Sequence, residues 1–584
     1  MRIKKTVSKK STSFYIIRDY NKNGKRTTKI VHKIGSDKKI APLAKAEGLT
    51  IEQWVNNYLQ KYVDEHNDNE KAETILIPKN TKKLINKNTK YSFNVGYLFL
   101  EDIYYDLGLH DICNNIQKEF RFKFSINDIL SYLVFSRIIY PSSKLKTHKL
   151  SKNFIEQPNL ELHNIYRGLS YLNKKMDYIK EKMFENSLNV IDRNSKIIYF
   201  DCTNYYFEIN DEDELRRYGI NKQHQPSPQV GMGLFMDSDG IPLAMNIFPG
   251  NENEVKHCIP TESKIINNFK LPDSKIIFCA DAAMCTDEIK KFNINEGRGF
   301  VITQSLKKIK EEYKNEIFED DGWRIQGDLY HTYKLSEILK DEDKYKNTLF
   351  YKIIETETKN VKQDLVVTYS IKYRDYKRKL REGQILRAQN KIKNFNQNSK
   401  ITIKKNQNDY RRFIVERPCT ENGEAATEYI YSINDDLINE EAKYDGYYGL
   451  TTNLIDDVST ILKVAKGRWE IEESFRIMKT DFKSRPVELS REDRIKAHFL
   501  TCYIALVIYR ILEKKLDYNY STSEILDCIR NLNVLEVKGD GYIPEYERTD
   551  LTDELHEIFN FRTDYEIVNY KKYKKIFNQI KNKK

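Results

Sequence analysis

Lys466-Gly-Arg-Trp-Glu-Ile-Glu-Glu-Ser-Phe-Arg-Ile-Met-Lys479 places acids between bases beside apolar residues. It holds no Pro and no β-branched run, and Glu, Arg, Met and Lys are good helix formers, so it predicts a helix. At about 100° per residue, Arg468, Glu472 and Lys479 fall within about 40° of one another. Ile471, Phe475 and Met478 lie on the adjoining stripe, which can face a core. One acid thus stands between two bases beside an apolar surface. Glu470 points roughly the opposite way and is expected in solvent, and Glu473 is offset from Glu472 by about 100°. The plain alternative is an amphipathic helix with i,i+4 charge pairs. The company this helix keeps sets it apart, because two upstream apolar runs each end in an aspartate.

The first run is Ile197-Ile-Tyr-Phe200, ending in Asp201; the second is Lys275-Ile-Ile-Phe-Cys-Ala280, ending in Asp281. Val230–Asp237 and Ile241–Phe248 read as a hairpin across Ser238-Asp-Gly240, helices are expected over Val255–Phe269 and Thr286–Asn295, and Gly299–Gln304 is another strand. Strand, hairpin, helix, strand, helix, strand indicates an α/β sheet flanked by helices. Apolar runs without alternation suggest strands buried on both faces. An aspartate ending such a strand is unfavourable unless something neutralises it, and in open α/β sheets that end is where ligands bind. Two such aspartates and a glutamate on a packed helix make an oxygen-only set of high charge, which suits Mg²⁺ or Mn²⁺. Two ions about 4 Å apart activate a water or a 3′-hydroxyl and stabilise the leaving oxygen of a phosphodiester. Arg468 and Lys479 would then hold the strand's phosphates, one as a planar fork and one as a point charge. For each aspartate taken singly, an ordinary strand-end or helix-capping role is the plainer reading.

The 584 residues exceed one simple core and suggest about three to four domains. Lys and Arg outnumber Asp and Glu by 98 to 86, a net +12 that leans towards an anionic partner. The eight Cys form no C-x-x-C pair with a matching His cluster, so reduced thiols are expected rather than zinc. Met-Arg-Ile-Lys-Lys at the start lacks the apolar core of a signal peptide. The apolar runs Ile129–Tyr140 and Phe499–Tyr509 fall short of the roughly 20 residues that span a bilayer and read as core helices.

Residues 1–40 hold 13 Lys/Arg against two Asp. Phe14–Tyr20 and Thr27–Ile34 form a basic ribbon turning at Asn23-Gly24, either phosphate-binding or simply solvated. Thr50-x-x-Gln53 reads as a capping box for a helix, and residues 64–90 as a linker. Residues 91–190 are helical and make a candidate DNA-binding module, a plain packing domain being the alternative. Residues 305–445 hold short β-runs and a charged helix over about Tyr373–Lys393. They read as a β-rich insertion between the two halves, 191–304 and 446–515, of the α/β domain. Residues 516–584 read as a smaller helical tail.

The helix resembles the Y-x₂-R-x₃-E-x₆-K motif of the IS4-type DDE transposases, with Arg468, Glu472 and Lys479 at its spacing. Arg485-Pro-Val487, Arg494-Ile-Lys-Ala-His-Phe499, Asp201-Cys-Thr, Gly240-Ile-Pro-Leu243 with Phe248-Pro-Gly-Asn251, Ala280-Asp-Ala and Pro141-Ser-Ser-Lys144 are similar to the IS1634 branch. The resemblance covers most of residues 95–515. It implies an RNase H-like catalytic domain with the insertion between the second Asp and the Glu, and Asp201, Asp281 and Glu472 as catalytic and metal-binding triad. It implies two Mg²⁺, replaceable by Mn²⁺, double-stranded DNA as partner (the element's terminal inverted repeats and a target), and a homodimer on paired ends. It further implies 3′-end cleavage and strand transfer, no membrane, and the cytoplasm of a bacterium or archaeon. Arg468, Lys479 and Arg476 are the expected DNA contacts. Trp323 is the aromatic on which a flipped base would stack, with a structural tryptophan as its alternative. Ala465 stands where the family has its Tyr, which puts handling of the strand terminus in question. Two other functions compete: an RNase H-like nuclease without strand transfer, and a non-catalytic DNA-binding protein derived from a transposase.

Overall fold

The computed structural model describes the chain apart from residues 8–10, 23–24, 66–83, 85, 220–225, 270, 272–275, 329, 395–400, 404–405, 407, 420–427 and 583–584. The Asn23-Gly24 turn and most of the 64–90 linker lie outside the described residues. The backbone divides into two units, one of residues 118–120 and 166–510, the other of 1–117, 121–165 and 511–584.

The larger unit is built on a nine-stranded sheet. Its strands are β1 (Ile197–Tyr206), β2 (Gln229–Met236), β3 (Pro242–Pro249), β4 (Ile277–Ala280), β5 (Gly299–Gln304), β6 (Arg324–Ile325), β7 (Phe350–Thr358), β8 (Val361–Tyr369) and β9 (Tyr447–Thr452). They lie in the order β6-β7-β8-β9-β5-β4-β1-β2-β3. β1, β4 and β5 are parallel neighbours; the other pairs are antiparallel. The fold is therefore mixed α/β. β2 is buried along all eight residues, as expected of a strand covered on both faces.

Alternation sorts the side chains of the central strands. Ile198, Phe200, Cys202, Phe278, Ala280, Phe300 and Ile302 point into a core covered by helices α1 (Val255–Phe269) and α2 (Asp287–Asn295). Tyr199, Thr203 and Tyr205 point to the other face, which meets helices α4 (Val458–Lys466) and α5 (Trp469–Arg476), the latter continued by a π-helical turn over Ile477–Asp481.

Part of the expected insertion extends the sheet rather than merely interrupting it. β7 and β8 form a hairpin whose turn residues Lys359 and Asn360 both have positive φ, the geometry of a tight two-residue turn. β9 then joins β8 to β5. The later part of this region stands off the sheet: helix α3 (Ile371–Lys393) packs Ile385, Ala388 and Ile392 on the antiparallel pair Ile414–Cys419 and Glu428–Ile433. Helix α6 (Glu492–Lys515) is long and apolar enough to cross a membrane by length and composition, yet nearly all of its apolar window is buried, as in a core helix.

In the smaller unit, residues 2–65 form three antiparallel strands rather than the two expected. Arg2–Val7 pairs with Thr12–Lys22, and that strand pairs with Lys25–Ser36. Two helices, Asp37–Ala46 and Ile51–Glu65, pack Ile40 and Val55 with Phe14 of the sheet. Thr50 and Gln53 make the reciprocal bonds of a capping box.

The C-terminal segment does not stand apart as a tail. Asn533–Val537 pairs with both Gly541–Pro544 and Ser92–Asn94. The Asn94 side chain donates to the carbonyls of Ile529 and Arg530, closing the end of helix Thr522–Asn531. The helical stretch expected over 91–190 likewise divides. Helix Met176–Val190 belongs to the larger unit, where Phe184 stacks on Phe269 and Lys180 donates to Met245 O.

Helix Tyr97–Asp106 buries Glu101, with Lys581 3.8 Å away. Burial pushes the Glu101 carboxyl up to about 8, against the pull of Lys581. A raised folded value means that this stability is complete below the ordinary value of 4.5 and is lost as pH rises to about 8. Glu101→Gln should therefore gain in Tm relative to the unaltered protein as pH goes from 5 to 8.5. Thermal unfolding across that range checks this, and a constant Tm difference would assign the titration elsewhere.

Candidate active site

β1 runs on past Asp201 to Tyr206, because Cys202–Tyr206 pair with β2. Asp201 is thus mid-strand, not at a strand end as the apolar run suggested. It is β4 that stops here: Ala280 lies opposite Phe200, so Asp281 leaves the sheet beside Asp201. Asp281 Oδ1 accepts from Ala283 N at 2.9 Å and caps a short 3₁₀ turn, and Asp201 Oδ1 accepts from Cys202 N at 2.8 Å. The Cys202 thiol lies behind them, in the core. Burial first, then the carboxylates of Glu254, Asp201 and Asp281, push it well up from its ordinary value.

Helix α5 is held over this strand end by its cations. Arg468, just before the helix, donates to Thr303 Oγ1 on β5 at 3.1 Å, and Thr303 also bonds the Tyr448 hydroxyl of β9 at 2.9 Å. Lys479 bonds Thr203 Oγ1 on β1 and sits 5.2 Å from the Tyr205 ring. The π-helical turn advances Lys479 by a smaller angle per residue than a regular helix would and brings it onto β1. Gly467 makes the close approach possible: a Cβ there would lie 2.1 Å from the Tyr199 hydroxyl, which donates to Val464 O at 3.1 Å. Ala465 occupies the last turn of α4, one residue beyond that carbonyl.

Glu472 projects from the first turn of α5 with its side chain 66% exposed, 3.5 Å from Arg468. The two aspartates are neighbours and the glutamate's helix lies on the same end of the sheet. Among the described residues, however, no three His, Cys, Asp or Glu side chains are close enough as they stand to hold a metal ion. The donor set remains chemically apt for a hard divalent cation, since it consists of carboxylate oxygens.

One expectation is corrected, and two further residues have their surroundings fixed. Glu470 is not in solvent: it pairs with Arg510 at 3.3 Å, and its carboxylate abuts Gly240 so closely that a Cβ there would lie 2.9 Å away. Arg476 is engaged by Glu473 at 2.6 and 2.8 Å and by Asp481 at 3.0 Å, so two carboxylates offset its charge. Trp323 is fully buried among Phe350, Tyr369 and Tyr447, with Lys352 over its ring at 5.0 Å, so it presents no face on which a base could stack.

Sequence reasoning passed over Arg510, which closes the long apolar run at 499–509 as a lone charge. Almost fully buried, it donates to Ser474 Oγ at 2.8 Å and to Glu470 O at 3.1 Å, locking α5 on both sides of Glu472. Thr303 was legible only as a strand residue on the face opposite Phe300 and Ile302. Beyond Thr303 a cavity of about 370 Å³ opens between β5, β9 and helix α3, lined among others by Tyr373, Lys377, Arg381, Tyr447 and Tyr448.

Residues 207–508, just over half of the chain, match the family model described as "Transposase DDE domain". The match begins at Phe207, beyond Asp201, and includes Asp281 and Glu472. No curated protein matches the chain. Among solved structures, the chain is similar to piggyBac transposase in a cryo-EM synaptic complex with hairpin DNA. The identity is 8%, the coverage 83% of this chain and 84% of that one, and the TM-score 0.35, a level that does not establish a shared fold.

Proposed function

The chain belongs to the transposase DDE domain family and is a DDE transposase, and from that premise we propose that it mobilises an insertion sequence of the IS4 type, on an IS1634-like branch. It binds the terminal inverted repeats of its element, cleaves at the 3′ ends and joins them to target DNA. It acts as a homodimer on paired ends, in the cytoplasm of a bacterium or archaeon. The observation that carries this reading is the register of β1 and β4. It sets Asp201 beside Asp281 at an end of the sheet also occupied by the helix of Arg468, Glu472 and Lys479.

The catalytic domain is read as RNase H-like. In support, β3-β2-β1-β4-β5 combine an antiparallel meander with two further strands parallel to β1, reached through α1 and α2. Proteins of this family generally work with divalent metal ions. Asp201, Asp281 and Glu472 would hold two Mg²⁺, or Mn²⁺ in their place, which when bound would activate the attacking oxygen and stabilise the leaving one. Arg468 and Lys479, anchored on Thr303 and Thr203, flank Glu472 and orient the phosphates of the bound strand. The basic sheet of residues 2–36 and the helical body around residues 91–165 supply further DNA contacts.

A plasmid carrying the gene's own flanking DNA tests the reading. With purified protein and Mg²⁺ or Mn²⁺, new 3′-hydroxyl ends should map to paired boundaries, joined products should appear, and both should vanish with Asp201→Asn. Cuts without joined products would mean a nuclease lacking strand transfer. DNA that is bound but never cut in either metal would overturn the reading.

A further inference from the structure

Helix α3 carries charge that the fold leaves unused. Residues 371–393 contain nine Lys/Arg and two Asp/Glu. The inward side accounts for part of this: Arg374 pairs with Glu342 and Asp375, and Arg381 with Asp445. The outward side does not. Lys372, Tyr376, Lys379, Gly383, Leu386 and Asn390 follow one another at alternating steps of four and three, which ends on Lys393 and forms one exposed stripe. Lys372, Lys379 and Lys393 form no ion pair among the described residues. Tyr376 and Leu386 are 57% and 58% exposed.

Gly383 is the second observation. It sits in the middle of the helix, where glycine is destabilising relative to alanine. Packing does not require it, since a Cβ at this position would meet nothing within 4 Å. A glycine at the centre of a cationic stripe, with open space before it, lets a partner's backbone come close to the helix.

We propose that the outer face of helix α3 is a binding surface for duplex DNA flanking the cleavage site, with Lys372, Lys379 and Lys393 on its phosphates and Gly383 at the closest approach. This rests on the transposase reading. Charge complementarity selects a polyanion. At 23 residues the helix is about 34 Å long, about the length of one turn of duplex. The helix also starts at the active end of the sheet, because Tyr373 and Lys377 share a cavity with Thr303, the residue that Arg468 touches.

The test measures binding of the full chain to a 40-bp duplex from the flanking DNA over a range of salt. The variant Lys372→Gln/Lys379→Gln/Lys393→Gln should flatten the slope of log affinity against log salt by about 2.7, at about 0.9 for each phosphate no longer neutralised. Gly383→Ala should raise the helix's stability yet weaken binding about fivefold or more, a pairing of signs that a purely structural glycine would not produce. An unchanged slope in the triple variant, or Gly383→Ala binding as well as the unaltered protein, overturns the proposal. Failure of the transposase reading shows separately, as an unaltered protein that binds the plasmid but never cuts it.

Discussion

Glu472→Gln is expected to lower DNA cleavage by about 10³-fold or more while leaving the fold intact. On the proposed reading Glu472 would help hold a metal whose stabilisation of the transition state is worth several kcal/mol, and each 1.36 kcal/mol is about a factor of ten in rate. Nothing in the fold depends on this side chain to a comparable degree. It is largely exposed, and its ion pair with Arg468 at 3.5 Å joins residues four apart, an arrangement contributing about 0.3–0.5 kcal/mol on a surface. Glu473→Gln is the control: Glu473 lies one residue on and is engaged by Arg476. Its loss should change cleavage by no more than a few-fold. Single-turnover cleavage of a labelled end, read beside Tm, separates the two. If Glu473→Gln abolished cleavage and Glu472→Gln did not, the acid would be misassigned.

Arg193→Leu is expected to cost about 3–5 kcal/mol of stability, the range for breaking a buried pair from one side. Arg193 Nε donates to Asp237 Oδ2 at 2.7 Å, and the two side chains are 1% and 0% exposed. Its other nitrogens donate to Ser187 Oγ and to the carbonyls of Ile241 and Pro242. Asp237 in turn accepts from the Asp239 and Ile241 amides and so holds the β2–β3 turn. Burial already pushes the Asp237 carboxyl up, against the pull of Arg193. Without the guanidinium its folded value would rise further. Because that value lies above the unfolded one, the variant's deficit should shrink as pH falls and widen as it rises. Adding Asp237→Asn should recover part of the loss, since a neutral amide needs no counter-ion. Denaturant unfolding of the four proteins of this cycle measures the coupling. Additive losses would show that the pair does not act as one.

The effect should reach the candidate site through that turn. Gly240, at its end, lies against Glu470 on helix α5. The same helix is tied through Glu470 and Ser474 to Arg510. Stability of the β2–β3 end and the position of Glu472 are therefore linked by contacts rather than by sequence proximity.

The amino-acid sequence by itself determined what is local. Apolar runs over 197–200 and 277–280 lie in strands because continuous apolar residues, many of them β-branched or aromatic, suit a sheet covered on both faces. Asp237-Ser-Asp-Gly240 turns because Gly240 takes a positive φ and Asp237 accepts the amides of the turn. The spacing of Arg468, Glu472 and Lys479 was legible because a helix repeats every 3.6 residues whatever surrounds it.

Tertiary structure alone decided where those pieces end and what they face. Pairing with β2 carries β1 five residues past Asp201. A free edge at β5 recruits β9, and through it β8 and β7, so that most of the apparent insertion's β-structure becomes sheet. Burial hides Trp323, and neighbouring carboxylates engage Arg476. Arg510, forty residues downstream in the chain, takes Glu470 out of solvent. Each of these outcomes depends on a hydrogen-bond ladder or an ion pair whose partner is distant in sequence. Helical and strand periodicity describe a segment's own geometry and carry no record of which neighbour will satisfy its edge or its charge.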